Sequence, residues 1–180
     1  MEKKNECYYD ALELLGQGES GAKKALELLN LALEMDEDYV QTYIGFICVY
    51  GALGKDEDRE KMTKMAYSKT LKKFPEWPEK MEWGWLDNRA HLLAIQYMAE
   101  LYWDKGQDDG AVELFRLLLK LNPNDNQGVR YEIAGLYAGL KGDDINDMFD
   151  DGNENQDWSA LEELVEEQNK RHKFWKEPEY

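Results

Sequence analysis

Apolar residues in this 180-residue chain recur at intervals of three and four, and no segment sustains an alternation of two. A period near 3.6 marks helices that bury one face, so the chain reads as all-α. Residues 95–137 carry the clearest copy: a helix, a tight turn at Gly106, a second helix and a linker into a third. Upstream, the spacing predicts helices over 8–15, 20–35, 39–50 and 59–73, with Ser20 as an N-cap. Pro75 stops the fourth by restricting Phe74 to extended backbone. Further helices are predicted over 88–104, 108–121 and 125–140, the last capped by Asp125.

Three stretches break the pattern. Residues 51–58 form a polar interruption rich in acids. Residues 75–87 hold Trp77, Pro78, Met81, Trp83, Trp85 and Leu86, too many large apolar groups for a solvated linker. They are expected to anchor the connector back onto the helices. Residues 141–157 hold seven acids and read as an acidic loop around a single helical turn at 145–149. Ser159 and Glu162 have the spacing of a capping box. It would start a last helix with Leu161, Leu164 and Val165 inward, capping the array.

The helices repeat. Ala99, Leu101 and Tyr102 recur as Ala134, Leu136 and Tyr137, thirty-five positions on, a period that one helical hairpin fills. Ala99, Tyr102, Gly106, Ala111, Phe115 and Pro123 match the small, aromatic, turn, small, aromatic and proline positions of the tetratricopeptide repeat, and the chain resembles that family. Ala25, Leu29 and Ala32 fit the second helix of an earlier unit, and Gly45 the first helix of the next. Tyr67 and Pro75 fit that unit's second helix, after an insertion at 55–60. The resemblance implies a right-handed stack of three to four hairpins in one domain over 1–180, with repeats over 11–140 and an acidic loop plus capping helix over 141–180. It also implies a non-enzymatic protein–protein interaction module that binds a peptide or partner helix in a concave groove lined by first helices. Projected onto that groove are Tyr39, Thr42, Phe46, Gln96, Glu100, Trp103, Arg130 and Tyr131.

Charge narrows the partners. With 22 basic and 38 acidic residues the net charge is -16, a field that repels phosphate backbones, so nucleic acid is not expected. No run of about 18 apolar residues predicts a membrane helix. The N-terminal residues lack a continuous apolar stretch of the signal-peptide kind, so a cytoplasmic protein is expected. Cys7 and Cys48 lack CxxC spacing. His91 and His172 are the only histidines and lie far apart, and no glycine-rich phosphate loop, nucleophile elbow or HExxH is present. Neither catalysis nor a cofactor is therefore expected. Asp151, Asn153, Asn155, Asp157 and Glu162 fit a calcium-loop count, but Gln156 stands where the tight turn needs glycine, so no metal is expected.

Two alternatives remain in view. Trp77, Trp83 and Trp85 near Arg89 would wall a pocket for a planar or sugar-like ligand, making the protein a small-ligand sensor. Self-association through an uncapped end would make it a homodimeric scaffold. Arg89 and Arg130 stand near helix starts, where the dipole disfavours cations, so each is expected to pair with a carboxylate or a carbonyl.

Overall fold

The computed structural model describes residues 3–177 and is all-α, with no strand among them. Two units are distinguished, one ending at Glu76 and the other beginning at Trp77. The first contains α1 (Lys3–Glu13), a 3₁₀ turn (Leu15–Gln17), α2 (Gly18–Met35), α3 (Val40–Ala52) and α4 (Asp56–Lys73). Helix α1 packs on α2 and reaches α3, while α3 packs on α4. Small residues make this closeness feasible: Ala11, Ala25 and Ala32 are completely buried. At Gly45 an added Cβ would lie 2.5 Å from Leu29 Cδ2, so glycine lets α3 close on α2. Helix α2 already begins at Gly18, which leaves Ser20 inside it rather than at its cap. The carboxylate of Asp38 accepts from Lys69 (2.7 Å) and Lys72 (2.8 Å), tying the α2–α3 loop to the end of α4. Those two ammonium groups hold its pKa down at about 2.

The second unit contains α5 (Leu86–Asp104), α6 (Asp108–Leu121), α7 (Val129–Ala138), α8 (Gly142–Asn155) and α9 (Ser159–His172). Its first hairpin turns in the same way as α3–α4. Gly54 and Gly106 both adopt left-handed backbone, φ +63° and +68°. The next N–H in each case reaches back to close the turn, Lys55 to the Tyr50 carbonyl (2.9 Å) and Gln107 to that of Tyr102 (2.8 Å). The insertion expected at 55–60 is therefore not in the turn. It lengthens α4, which has 18 residues against 14 in α6. Asp56, Glu57 and Asp58 fill the first turn of α4, where the helix dipole favours anions, so a stretch read as a polar interruption is helix.

The connector is anchored at fewer points than its aromatics imply. Met81 is buried and its N–H donates to the Leu121 carbonyl (2.7 Å). The Trp85 side chain is 67% exposed and Leu86 is exposed, so neither is buried against the helices.

The acidic stretch departs furthest from expectation. In place of a loop it forms α8, 14 residues long, packed on α7 and touching α5. The Asp144 carboxylate accepts the Lys141 N–H (2.7 Å) at its start. Ile145, 2% exposed, fits over Gly135, where a Cβ would stand 2.5 Å from its Cγ1. Phe149 meets the Tyr131 ring edge-on at 5.2 Å. Two well-seated apolar side chains give an otherwise acidic segment the tertiary support that its own propensity lacks. Helix α9 packs on α7 with Leu161 and Val165 buried. Its expected capping box is absent: Asp157 accepts the Ser159 N–H (3.0 Å), and Glu162 is engaged by Tyr131 instead.

Because α8 is held by so few contacts, Ile145→Ala should cost about 2–5 kcal/mol and act locally. Hydrogen exchange is expected to quicken throughout α8 while the slowest amides of α5 and α6 keep their rates. Equal acceleration in all three helices would show that α8 is not a separately docked element.

Candidate functional site

The turn between α6 and α7 assembles the second unit's main polar cluster. Asp125 adopts left-handed backbone (φ +47°) and is buried. Its Oδ1 accepts the Val129 N–H (2.7 Å), and its Oδ2 accepts the Arg130 N–H (3.2 Å) and Nη1 (2.9 Å). It thus caps α7, as expected, while also holding the arginine that follows. Burial pushes its carboxyl up, against the opposing pull of Arg130 and the two amides. The Arg130 guanidinium lies 4.1 Å from the Tyr131 ring centroid and 5.1 Å from that of Trp175. It also donates to the Tyr131 hydroxyl and to Glu162 Oε1 (3.2 Å). Tyr131 donates to the same Glu162 oxygen. Burial, then that hydrogen bond, pushes the phenol pKa up to about 12.

A second polar chain crosses from α5 to α7. Gln127 Nε2 donates to Gln96 Oε1 (2.7 Å), and Gln96 Nε2 donates to Glu132 Oε1 (2.9 Å). All three residues keep some exposure, yet Glu132 Oε2 and Gln127 Oε1 are shielded from solvent and have no hydrogen-bond partner among the described residues. Burial drives the Glu132 carboxyl well above the usual carboxylate range, and the charge of Glu100 drives it further. Gln96 and Glu100 belong to the projected groove; Glu132 and Gln127 do not. The 35-residue period carries Gln96 onto Tyr131, so a projection allowing one residue of slip would have reached Glu132.

The remaining expected residues are dispersed. Trp103 stands edge-on to Phe115 at 6.2 Å and lies against Gly135 beneath the start of α8. Tyr131 is 8% exposed under Phe149, so α8 covers this end of the α5–α7 face. Tyr39 is partly exposed, with the Lys4 ammonium 4.8 Å from its ring centroid. The surface positions expected for Thr42 and Phe46 are corrected: both are buried. Phe46 packs among Ala11, Ala22, Ala25 and Leu29, because α1 and α2 together cover the face of α3 that the projection left open.

The tryptophans of the connector fall in different places. Trp83 lines a recess of about 720 Å³ with the turn after α6, and Trp77, Trp85 and Arg89 do not line it. Trp85 lines a separate depression with Gly84, Leu86, Asp87 and Asn88. Arg89 meets its expected kind of partner: its Nε donates to the Trp83 carbonyl (2.7 Å), and the guanidinium lies 5.2 Å from the Trp83 ring centroid. Asp151, Asn153 and Asn155 lie within α8 rather than in a loop.

No family model matches the chain, and no curated protein and no solved structure matches it. Among the described residues, no helix is long and apolar enough to cross a membrane.

The raised pKa of Glu132 has a definite sign in stability. Folded protein holds that proton more tightly than unfolded chain, so stability falls as pH climbs from the ordinary carboxylate range towards the folded pKa. Glu132→Gln removes the titration with little change of shape. Calorimetry is expected to show the variant melting above wild type near pH 8 and the two converging near pH 4. A constant offset across that range would mean that Glu132 does not carry the pH dependence.

Proposed function

We propose that the protein is a tetratricopeptide-repeat-like interaction module, not an enzyme, whose α5–α7 face holds a cationic segment of a partner protein. The observation that carries this reading is the half-buried Glu132 carboxylate near the charge of Glu100, with one oxygen shielded from solvent and lacking a donor. Unpartnered buried acceptors cost about 1–3 kcal/mol, more when charged. The raised pKa of Glu132 favours its protonated form, which carries less of that cost in the free protein. A lysine or arginine head group from a partner relieves it better, by supplying both a donor and an opposite charge.

Gln96 and Gln127 extend the same surface in a form suited to peptide backbone. Each carboxamide offers an acceptor and two donors, and Gln127 Oε1 is an acceptor without a partner. An extended peptide presents N–H groups that this oxygen would accept. The net charge of -16 adds a long-range field that draws cationic segments in and raises their association rate. A cytoplasmic setting accords with two cysteines that form no disulfide.

Binding of this kind is linked to protons, since the cation displaces the one on Glu132. A fluorescein-labelled peptide of alternating lysine and serine, followed by anisotropy, should bind more tightly as pH rises from 5 to 8. Glu132→Gln is expected to weaken it about tenfold near pH 8, roughly 1.4 kcal/mol, and to flatten the pH dependence. Glu166→Gln, on the exposed Glu166–Lys170 pair of α9, should change little. Equal losses from both variants would reduce the effect to general charge attraction and overturn the reading.

A further inference from the structure

The recess between the connector and the α6–α7 turn uses none of the residues that carry the proposed peptide face. It is open on one side and lined by Lys80, Glu82, Trp83, Asn122, Asn124 and Asn126, among others. Asn122 is 5% exposed, yet its carboxamide makes no hydrogen bond within the described residues. Its donors and acceptor are therefore left for whatever enters the recess that Asn122 lines.

We infer that this recess binds a neutral oligosaccharide. Its chemistry selects that class over others of similar size. Each asparagine carries donors and an acceptor on one rigid group, as each sugar hydroxyl both donates and accepts, and three asparagines line this recess. Trp83 supplies a flat apolar wall for the C–H face of a pyranose ring, with the Arg89 guanidinium 5.2 Å from the ring centroid helping to fix it. Phosphorylated ligands meet a chain of net charge -16 and Glu82 in the lining, which oppose the attraction of Lys80 and Arg89. Cationic ligands meet Lys80 in the recess and Arg89 on the Trp83 ring. The open side allows a sugar unit to bind while the rest of its chain continues into solvent.

Isothermal titration of the full chain with maltohexaose, cellohexaose and chitohexaose tests this, with AMP as the anionic, planar comparator. Saturable heat is expected from at least one hexasaccharide and not from AMP. Asn122→Ala and Trp83→Ala should each lower the affinity about tenfold or more, and Glu132→Gln should leave it unchanged. Asn124 is exposed, so Asn124→Ala keeps the fold and should lower affinity about threefold. The proposal is overturned if no hexasaccharide gives saturable heat or if AMP binds as well. Affinity that survives both Trp83→Ala and Asn124→Ala in folded protein overturns it equally.

Discussion

Three donors converge on the carboxylate of Asp125: two backbone amides at the start of α7 and one arm of the Arg130 guanidinium. The arrangement requires the turn to enter left-handed backbone at a non-glycine residue, a conformation that costs energy unless its surroundings support it. Support comes from the bonds themselves, because removing one partner of a buried charge pair typically costs about 3–5 kcal/mol. Once Asp125 is in place, α7 has its cap and Arg130 has its direction. Arg130 then lies over Tyr131 and Trp175 and reaches Glu162, so one carboxylate indirectly orders α7, the start of α9 and the C-terminal segment.

Packing elsewhere depends on the absence of side chains as much as on their presence. Gly45 admits Leu29 in the first unit, and Gly135 admits Ile145 in the second. Alanines at complete burial bring neighbouring backbones together, while Leu29, Phe115 and Ile133 fill the remaining volume. Two hairpin turns, at Gly54 and Gly106, close with the same hydrogen bonds although their second helices differ in length. The two hairpins thus share their turn geometry while their second helices differ in length, and the first residues of α4, Asp56, Glu57 and Asp58, are exposed.

Against this regular background the α5–α7 face is the exception. Local rules would pair or expose a carboxylate oxygen, yet half-buried Glu132 keeps its Oε2 shielded and idle near a second acid. Departures from local consistency of this kind concentrate where a fold serves something beyond its own stability. Helix α8 shapes the same face from the other side by covering Trp103 and Tyr131. What remains accessible is the carboxamide and carboxylate chain of Gln127, Gln96 and Glu132, which is why the polar residues rather than the aromatics define the candidate site.

Most helices, the hairpin turn at Gly106 and the capping role of Asp125 were legible in the chain because each rests on interactions within a few residues. Apolar spacing of three and four, glycine at the turns and an acid ahead of Val129 are local signals. The need of Arg89 and Arg130 for partners was equally visible, since a cation at a helix start is disfavoured whatever surrounds it. Tertiary structure alone decided the rest. Periodicity tells which face of a helix is buried and not what covers it, so Phe46 was projected to a surface that α1 and α2 occupy. An acidic segment became α8 because Gly135 and Tyr131 offered seats for Ile145 and Phe149. Glu162 was drawn from its expected capping role by a phenol 31 positions away in the chain. Each of these outcomes depends on a contact between residues distant in sequence, and no local pattern encodes which distant residue will be the neighbour.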